Sequence, residues 1–521
     1  MRAAGAGAGA LMARLKNPYY LGDEPALTQS LGWAGAWVSR ASRYAVRAES
    51  PADVAAAIGF ARSQGVRLVV KGGGHSYFGN SNADDSLLVW TRALDRVQMH
   101  DAFVPSGAPP ATPARAAVSV GSGAIWGRVY DEVSVRHGRY VQGGGCLTVG
   151  VSGFVLGGGF GSLSKAFGTG AANLLEAEVV TADGRTRLVN AWQDPDLFLA
   201  LRGGGGGTFG ITTTLTLATH PLPTRIGAVL FSVTASSDAA WKALVRRIVS
   251  FYAEALFNPT WGEQLRFSGG RTLSVSMVCH GLDREGAAAV WHPFLSWIAQ
   301  HADDYRLAGE PTILAVPARR FWDSAFLRGV PGVVLGDDRP GAPPGNVFWA
   351  TNLGEAGQVL HAYESMWLPG RLLERAQQDR LADALMAAAA EWDVTLHVNK
   401  GLAGGAPSAL AATRETATNP QVLDAFALLI CAADSQPAWP GIPGHEPDSN
   451  LARREASRVA QAMAPMRDLV PGAGTYMSEA NYFDRDWQHA YWGDHHARLA
   501  DIKRRYDPDN LFRGHHTVAP A

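Results

Sequence analysis

The chain has 521 residues, 47% of them hydrophobic and 18% charged, and a formal net charge of −1 at neutral pH. That is too long for one ordinary domain, too apolar for a disordered chain, and without the basic surplus that a nucleic-acid partner calls for. No apolar run is long enough for a membrane span, and three scattered cysteines (Cys146, Cys279, Cys431) need no disulfide framework and suit a reducing compartment.

The alanine- and glycine-rich start, Met1 to Lys16, is too interrupted by glycine to read as a secretory signal, so a soluble, cytoplasmic protein is expected. Residues 17–49 read as a lead-in rich in aromatics. A helix follows, with Ser50 as N-cap, Pro51 in the first turn, Val54, Ala57, Ile58 and Ala61 on one face, and Gly65 as its stop. Val66 to Val70 reads as a short strand that runs directly into the turn Lys71-Gly72-Gly73-Gly74-His75-Ser76-Tyr77.

Ser86 to Trp90 and Ala117 to Val120 are expected strands, with an exposed proline- and alanine-rich loop over 104–115 between them. A helix over 126–137 leads into a second glycine-dense stretch, Gly143-Gly144-Gly145-Cys146-Leu147-Thr148-Val149-Gly150, which continues through Gly153 to Gly157-Gly158-Gly159-Phe160-Gly161. Glycine at this density is poor for helix or strand. It suits main chain that must lie close against a flat or charged ligand and point N–H groups at it. Two such turns, one carrying His75 and one Cys146, are the chemical centre of the sequence.

Leu175 to Val180 and Arg187 to Val189 read as a hairpin turning at Asp183-Gly184, and Asp194-Pro195 as the cap of a short helix. The five glycines Gly203 to Gly207 formally contain G-x-G-x-x-G. A threonine-rich strand follows at Ile211 where the dinucleotide fingerprint needs a helix, so that reading fails. His220-Pro221-Leu222-Pro223 marks a boundary. Beyond it, strand-like segments (227–233, 265–267, 273–278, 394–398) alternate with helix-like ones (239–255, 287–299, 371–391, 451–469), which predicts an antiparallel sheet with helices on one side. The tail from Tyr476 to Phe512 is rich in aromatics.

Taken together, the glycine turns around His75 and Cys146, Glu176-Ala177-Glu178-Val179-Val180, Gly206-Gly207-Thr208-Phe209-Gly210-Ile211 and Tyr506-Asp507-Pro508-Asp509-Asn510-Leu511-Phe512 resemble the berberine-bridge-enzyme-like oxidases of the vanillyl-alcohol-oxidase class. The resemblance implies an α+β fold: a two-part PCMH-type FAD-binding domain over residues 1–222, a substrate domain with a large antiparallel sheet backed by helices over 223–470, and a C-terminal segment, 471–521, returning to the FAD domain. It implies FAD linked twice, through His75 to the flavin 8α carbon and through Cys146 to C6. The cradle would comprise Lys71, Gly72, Gly73, Gly74, Ser76, Gly145, Thr148, Gly150, Gly153, Gly158, Gly210 and Ile211. A small-molecule alcohol, sugar or secondary metabolite would give hydride to flavin N5, and O2 would reoxidise the flavin to yield hydrogen peroxide. The competing expectations are a dehydrogenase with another acceptor and a flavin carrier without turnover.

In the family, the residue three after the cysteine governs oxygen access; here it is Val149, which goes with oxidases. Phe160 stands where many relatives have a catalytic tyrosine, so another base must serve if the reaction needs one. Tyr476 to Tyr482 resembles the family's Y-x-N-Y active-site strand with ambiguous alignment, leaving Tyr476, Glu479 and Tyr482 as candidates, beside Tyr77. On an extended strand, Tyr476 and Ser478 would share one face and Glu479 the other. In the same way His397 and Asn399 would face the ring, with Phe160 near the substrate, and Lys400 would point away. Trp349, Trp367 and Trp392 line the pocket or pack in the core. Asp494-His495-His496 and His515-His516 lack metal-ligand spacing, and no metal is expected.

Overall fold

The computed structural model describes residues 7–521; the first residues of the Met1–Lys16 stretch lie outside the described residues, and Gly7–Arg14 is helical. The helix Pro51–Gln64 forms where its caps predict. Ser50 Oγ accepts the Asp53 N–H at 3.3 Å, and Gly65 ends the helix at φ +63°. It feeds the strand Arg67–Lys71 of a small parallel sheet, ordered Tyr44–Arg47, Ser86–Trp90, Arg67–Lys71. A second, antiparallel sheet runs Thr186–Asn190, Leu174–Val180, Ile211–Pro221, Arg115–Gly121, Val97–Phe103, with Arg139–Val141 on the far end of Ile211–Pro221. The hairpin turning at Asp183-Gly184 is present, and the glycine run 203–207 leads into a strand rather than the helix that a dinucleotide motif requires. Asp194 does not cap its helix. It sits at φ +47° and accepts a hydrogen bond from the Tyr506 hydroxyl at 2.8 Å.

Past Pro221 the chain enters a ten-stranded sheet, antiparallel except at one edge. Its helices, Asp238–Phe251, Arg284–Gln300, Gln378–Glu391 and Ser449–Leu469, bury their apolar stripes against alternate strand residues such as Val229, Phe231 and Val233, Leu265 and Phe267, and Val275 and Met277. The opposite face carries Gln264, Ser276, Val278 and His397 and forms one wall of the main cavity. Gly32–Trp33, from the lead-in, pairs in parallel with Val359–Leu360 and so extends the large sheet. The C-terminal helices Trp487–Trp492 and His495–Tyr506 place Trp492, Leu499 and Ile502 in the core that also holds Val118, Ala177 and Leu215. Among the described residues, no helix is long and apolar enough to cross a membrane.

Candidate active site

Where the smaller sheets face the large one lies a cavity of about 690 Å3, inside the usual range for small-molecule sites. Three glycine turns form one side of it, and two of them interlock. A Cβ on Gly73 would stand 2.6 Å from Gly150 N, and one on Gly150 would stand 2.7 Å from Gly73 N, so backbone packs on backbone where no side chain fits. The third turn, Gly205 to Gly207, is fixed by the Gly205 N–H donating to Leu156 O at 2.9 Å.

His75 and Cys146 come off the first two turns onto the cavity wall, with Thr148 between them. The Thr148 hydroxyl oxygen lies 3.5 Å from His75 Nε2 and 3.4 Å from Cys146 Sγ. Burial pushes the His75 imidazole down to about 4, so it is neutral and keeps a lone pair at ordinary pH. Burial, with the charge of Glu355 added, pushes the Cys146 thiol up to about 11, so it holds its proton at rest and must lose it to act as a nucleophile. Tyr77 is also on the wall, its ring 5.2 Å from that of Tyr363.

Across the cavity, the strand Val394–His397 ends in a tight turn, Val398–Lys400. The turn cancels strand alternation: His397, Asn399 and Lys400 all reach the wall, contrary to the expectation that Lys400 points away. The Lys400 ammonium donates to Glu479 Oε1 at 2.6 Å, while the Lys400 carbonyl accepts from Trp367 Nε1 at 2.9 Å. Burial and the Lys400 charge hold His397 well below the usual imidazole range. The segment around Tyr476 is irregular rather than a strand, so Tyr476, Ser478 and Glu479 all line the cavity instead of alternating. The Tyr476 ring meets Phe160 edge-on at 4.9 Å. Burial raises the phenols of Tyr77, Tyr363 and Tyr476, with the Glu479 charge adding to it.

Among the wall residues that sequence reasoning missed, three bear on the chemistry. Tyr363 is on the long strand Val359–Pro369. Glu355 is solvent-accessible through the open cavity and accepts from Asn352 Nδ2 at 2.9 Å; the protein packed around the cavity lifts its carboxyl to about 7, an effect that water in the cavity weakens. Glu263 has φ +76°, a region costly for a side-chain-bearing residue. Because of that twist it faces the cavity together with its neighbour Gln264, which a regular strand forbids. Glu263 accepts from the Ser162 hydroxyl and, at 3.4 Å, from Asn399 Nδ2. No local motif marks any of the three.

Several expected residues are placed elsewhere. Lys71 is buried behind the turn, its ammonium donating to the carbonyls of Glu24, Pro25 and Leu27 at 2.7–2.9 Å, and it does not face the cavity. Tyr482 stacks on His515 with ring centres 3.6 Å apart and planes at 6°, outside the cavity wall. Gly158 faces Thr418 and Tyr476. Thr148 sits behind His75 and Cys146 rather than on the wall itself. Gly72, Gly73, Gly74, Ser76, Gly145, Val149, Gly150, Gly153, Phe160, Gly210 and Ile211 do line the cavity. Trp349 lines it too, donating Nε1–H to Gly145 O at 2.8 Å, whereas Trp392 donates to Ala432 O on a strand of the large sheet.

The wall residues fit FAD. A Cβ at Gly145 or Gly153 would meet nothing within 4 Å and would protrude into the cavity, so the missing side chains leave room there. The wall residue Thr208 has a buried hydroxyl with no partner among the described residues. Main-chain turns, an unprotonated imidazole and a thiol suit a planar ring with a pyrophosphate tail.

Comparison with known proteins agrees. The chain matches a family model described as FAD binding domain over residues 42–190, and one described as berberine and berberine like over 464–519. It is 30% identical over 481 residues to the FAD-linked oxidoreductase easE of Trichophyton verrucosum, covering 90% of this chain and 72% of that protein. It is 28% identical over 487 residues to the VAO-type flavoprotein oxidase VAO615 of Thermothelomyces thermophilus, covering 90% and 74%. Among solved structures, the VAO-type flavoprotein MtVAO615 of Myceliophthora thermophila superposes with a TM-score of 0.77 at 22% identity, over 99% of this chain and 89% of that one. The glucooligosaccharide oxidase of Acremonium strictum, described with a 6-S-cysteinyl, 8α-N1-histidyl FAD, gives 0.69 at 20% identity, over 92% of each chain.

Proposed function

The chain belongs to the berberine-like, VAO-type FAD-linked oxidoreductases, and on that premise we propose that it is an oxidase holding FAD by two covalent bonds, to His75 and to Cys146. The observation that carries this reading is the placement of those two nucleophiles on interlocked glycine turns, with the Thr148 hydroxyl within 3.5 Å of one and 3.4 Å of the other. The double linkage named for the glucooligosaccharide oxidase supports it. FAD bound there would take a hydride from an alcohol, sugar or secondary metabolite and pass its electrons to O2, giving hydrogen peroxide.

The protein's part is to hold, to orient and to move a proton. Contact of Thr148 with Nε2 leaves His75 Nδ1 as the bonding atom, and burial keeps that imidazole unprotonated. Gly72 to Gly74 and Gly205 to Gly207 offer backbone at close range. Val149, on the wall beside Cys146, leaves space where a longer side chain would obstruct oxygen. Phe160 cannot accept a proton, and the phenols of Tyr77, Tyr363 and Tyr476 are held protonated by burial and by the charge of Glu479. Among the wall carboxylates, Glu479 is the one oriented by an ion pair, with Lys400, and it is assigned as the base for the substrate hydroxyl or amine, with Tyr476 as a neighbouring donor.

Purified protein run on a denaturing gel should fluoresce as a flavoprotein and release peroxide on a panel of alcohols and sugars. Covalent flavin without oxygen consumption, but with reduction of an artificial acceptor, would replace the oxidase by a dehydrogenase.

A further inference from the structure

The cavity wall opposite the glycine turns carries more negative charge than it neutralises. Glu263, Glu355 and Glu479 all line it. Lys400 is committed to Glu479, and Arg513, elsewhere on the wall, pairs with none of the three among the described residues. Glu355 receives one hydrogen bond from the Asn352 amide, and Glu263 receives bonds from the Ser162 hydroxyl and the Asn399 amide. All those donors are neutral. Asn399 is 3% exposed, and its Oδ1 has no partner among the described residues. The unused hydrogen-bonding capacity here is thus acceptor capacity: two carboxylates without a cation and one buried amide oxygen.

We propose that the substrate of this site bears a protonated amine, received in the field of Glu263 and Glu355, with Asn399 Oδ1 as a further acceptor. The inference rests on reading the cavity as the substrate side of a flavin site, and it narrows the substrate class from that reading. A neutral polyol could satisfy the acceptors but would cover two carboxylates without compensating their charge, which is costly away from water. An ammonium does both. Burial lifts the carboxyls of Glu263 and Glu355, and the charge of Lys400, paired with Glu479, offsets that only in part.

The test uses one hydrocarbon frame with three charges: 2-phenylethylamine, 2-phenylethanol and 3-phenylpropionate. Binding to the purified protein is followed by quenching of tryptophan fluorescence, to which Trp322 and Trp349 on the wall contribute. The amine should bind at least about tenfold more tightly than the alcohol, as expected of charge-assisted hydrogen bonds, and the carboxylate most weakly. Glu355→Gln and Glu263→Gln, each checked for fold by circular dichroism, should reduce the preference for the amine. Equal binding of amine and alcohol by the wild-type protein, or no saturable binding of the amine, overturns the proposal without reference to either variant. Flavin content is measured separately by absorbance. Flavin-free protein that still prefers the amine would remove the oxidase reading alone, and flavin-loaded protein without the preference would remove this inference alone.

Discussion

Lys400 Nζ lies 2.6 Å from Glu479 Oε1, joining the turn that ends a strand of the large sheet to the C-terminal segment across 79 residues of sequence. The pair is mostly shielded, with side chains 11% and 21% exposed, so it orients the carboxylate more firmly than a surface ion pair would. Glu479→Gln keeps the shape and removes the proton acceptor. Flavin content should be unchanged, while the rate of flavin reduction by substrate under anaerobic conditions falls about 10²- to 10⁴-fold. An undiminished rate would take the base role from Glu479.

Glu355 gives a pH signature in stability. Its carboxyl is lifted from 4.5 to about 7 in the folded protein, so between those values the native state holds a proton that the unfolded state has released. Stability from this group is complete below about pH 4.5 and is lost as pH rises through 7. His75, depressed from 6.5 to about 4, acts with the opposite sign over an overlapping window, so the informative quantity is a difference. Urea denaturation of FAD-free protein should show Glu355→Gln gaining on the wild type from pH 4.5 to 7 and then levelling off. Solvent in the cavity reduces the size of the gain but not its sign.

Gly73 and Gly145 separate close packing from cradle. A Cβ at position 73 would stand 2.6 Å from Gly150 N and 3.0 Å from Gly150 Cα, both backbone atoms that cannot move aside cheaply. Gly73→Ala should therefore spread the two turns, cost ~1–3 kcal/mol and abolish flavin attachment. A Cβ at position 145 meets nothing within 4 Å, so Gly145→Ala should fold with wild-type stability and fail only in flavin loading. Thermal melts and flavin absorbance of the two variants check both.

Lys503 ties the C-terminal segment to the third glycine turn. Its fully buried ammonium donates at 2.6 Å to Asp507 Oδ2, to Thr208 O and to Phe512 O, and Asp507 in turn accepts from the Leu511 and Phe512 N–H groups. Asp507→Ala leaves a buried cation and two backbone donors without their partner. A loss of ~3–5 kcal/mol in urea denaturation is expected.

Parts of the molecule organised by local signals were legible in the sequence. The helix from Pro51 to Gln64 was fixed by Ser50 and Gly65, and the strand after Gly207 by its threonines. The turns carrying His75 and Cys146 were marked by runs of glycine too dense for a stable helix or strand. What could not be read depends on long-range geometry. Strand alternation mispredicted Lys400 because the chain tightens into a turn after His397, and it mispredicted Glu479 because the segment after Thr475 is not extended. Glu263 reaches the cavity only through a left-handed residue within a strand, and Glu355 only through the path of a loop. Tyr482 looked like a catalytic residue in one dimension and is a stacking partner of His515 in three.

The most direct measurement is peptide mapping by mass spectrometry of acid-precipitated protein. The flavin should survive precipitation, and the peptides containing His75 and Cys146 should be recovered joined through a single FAD, with either His75→Ala or Cys146→Ala leaving one bond. Recovery of both peptides unmodified, with all the flavin in the supernatant, would contradict the double linkage.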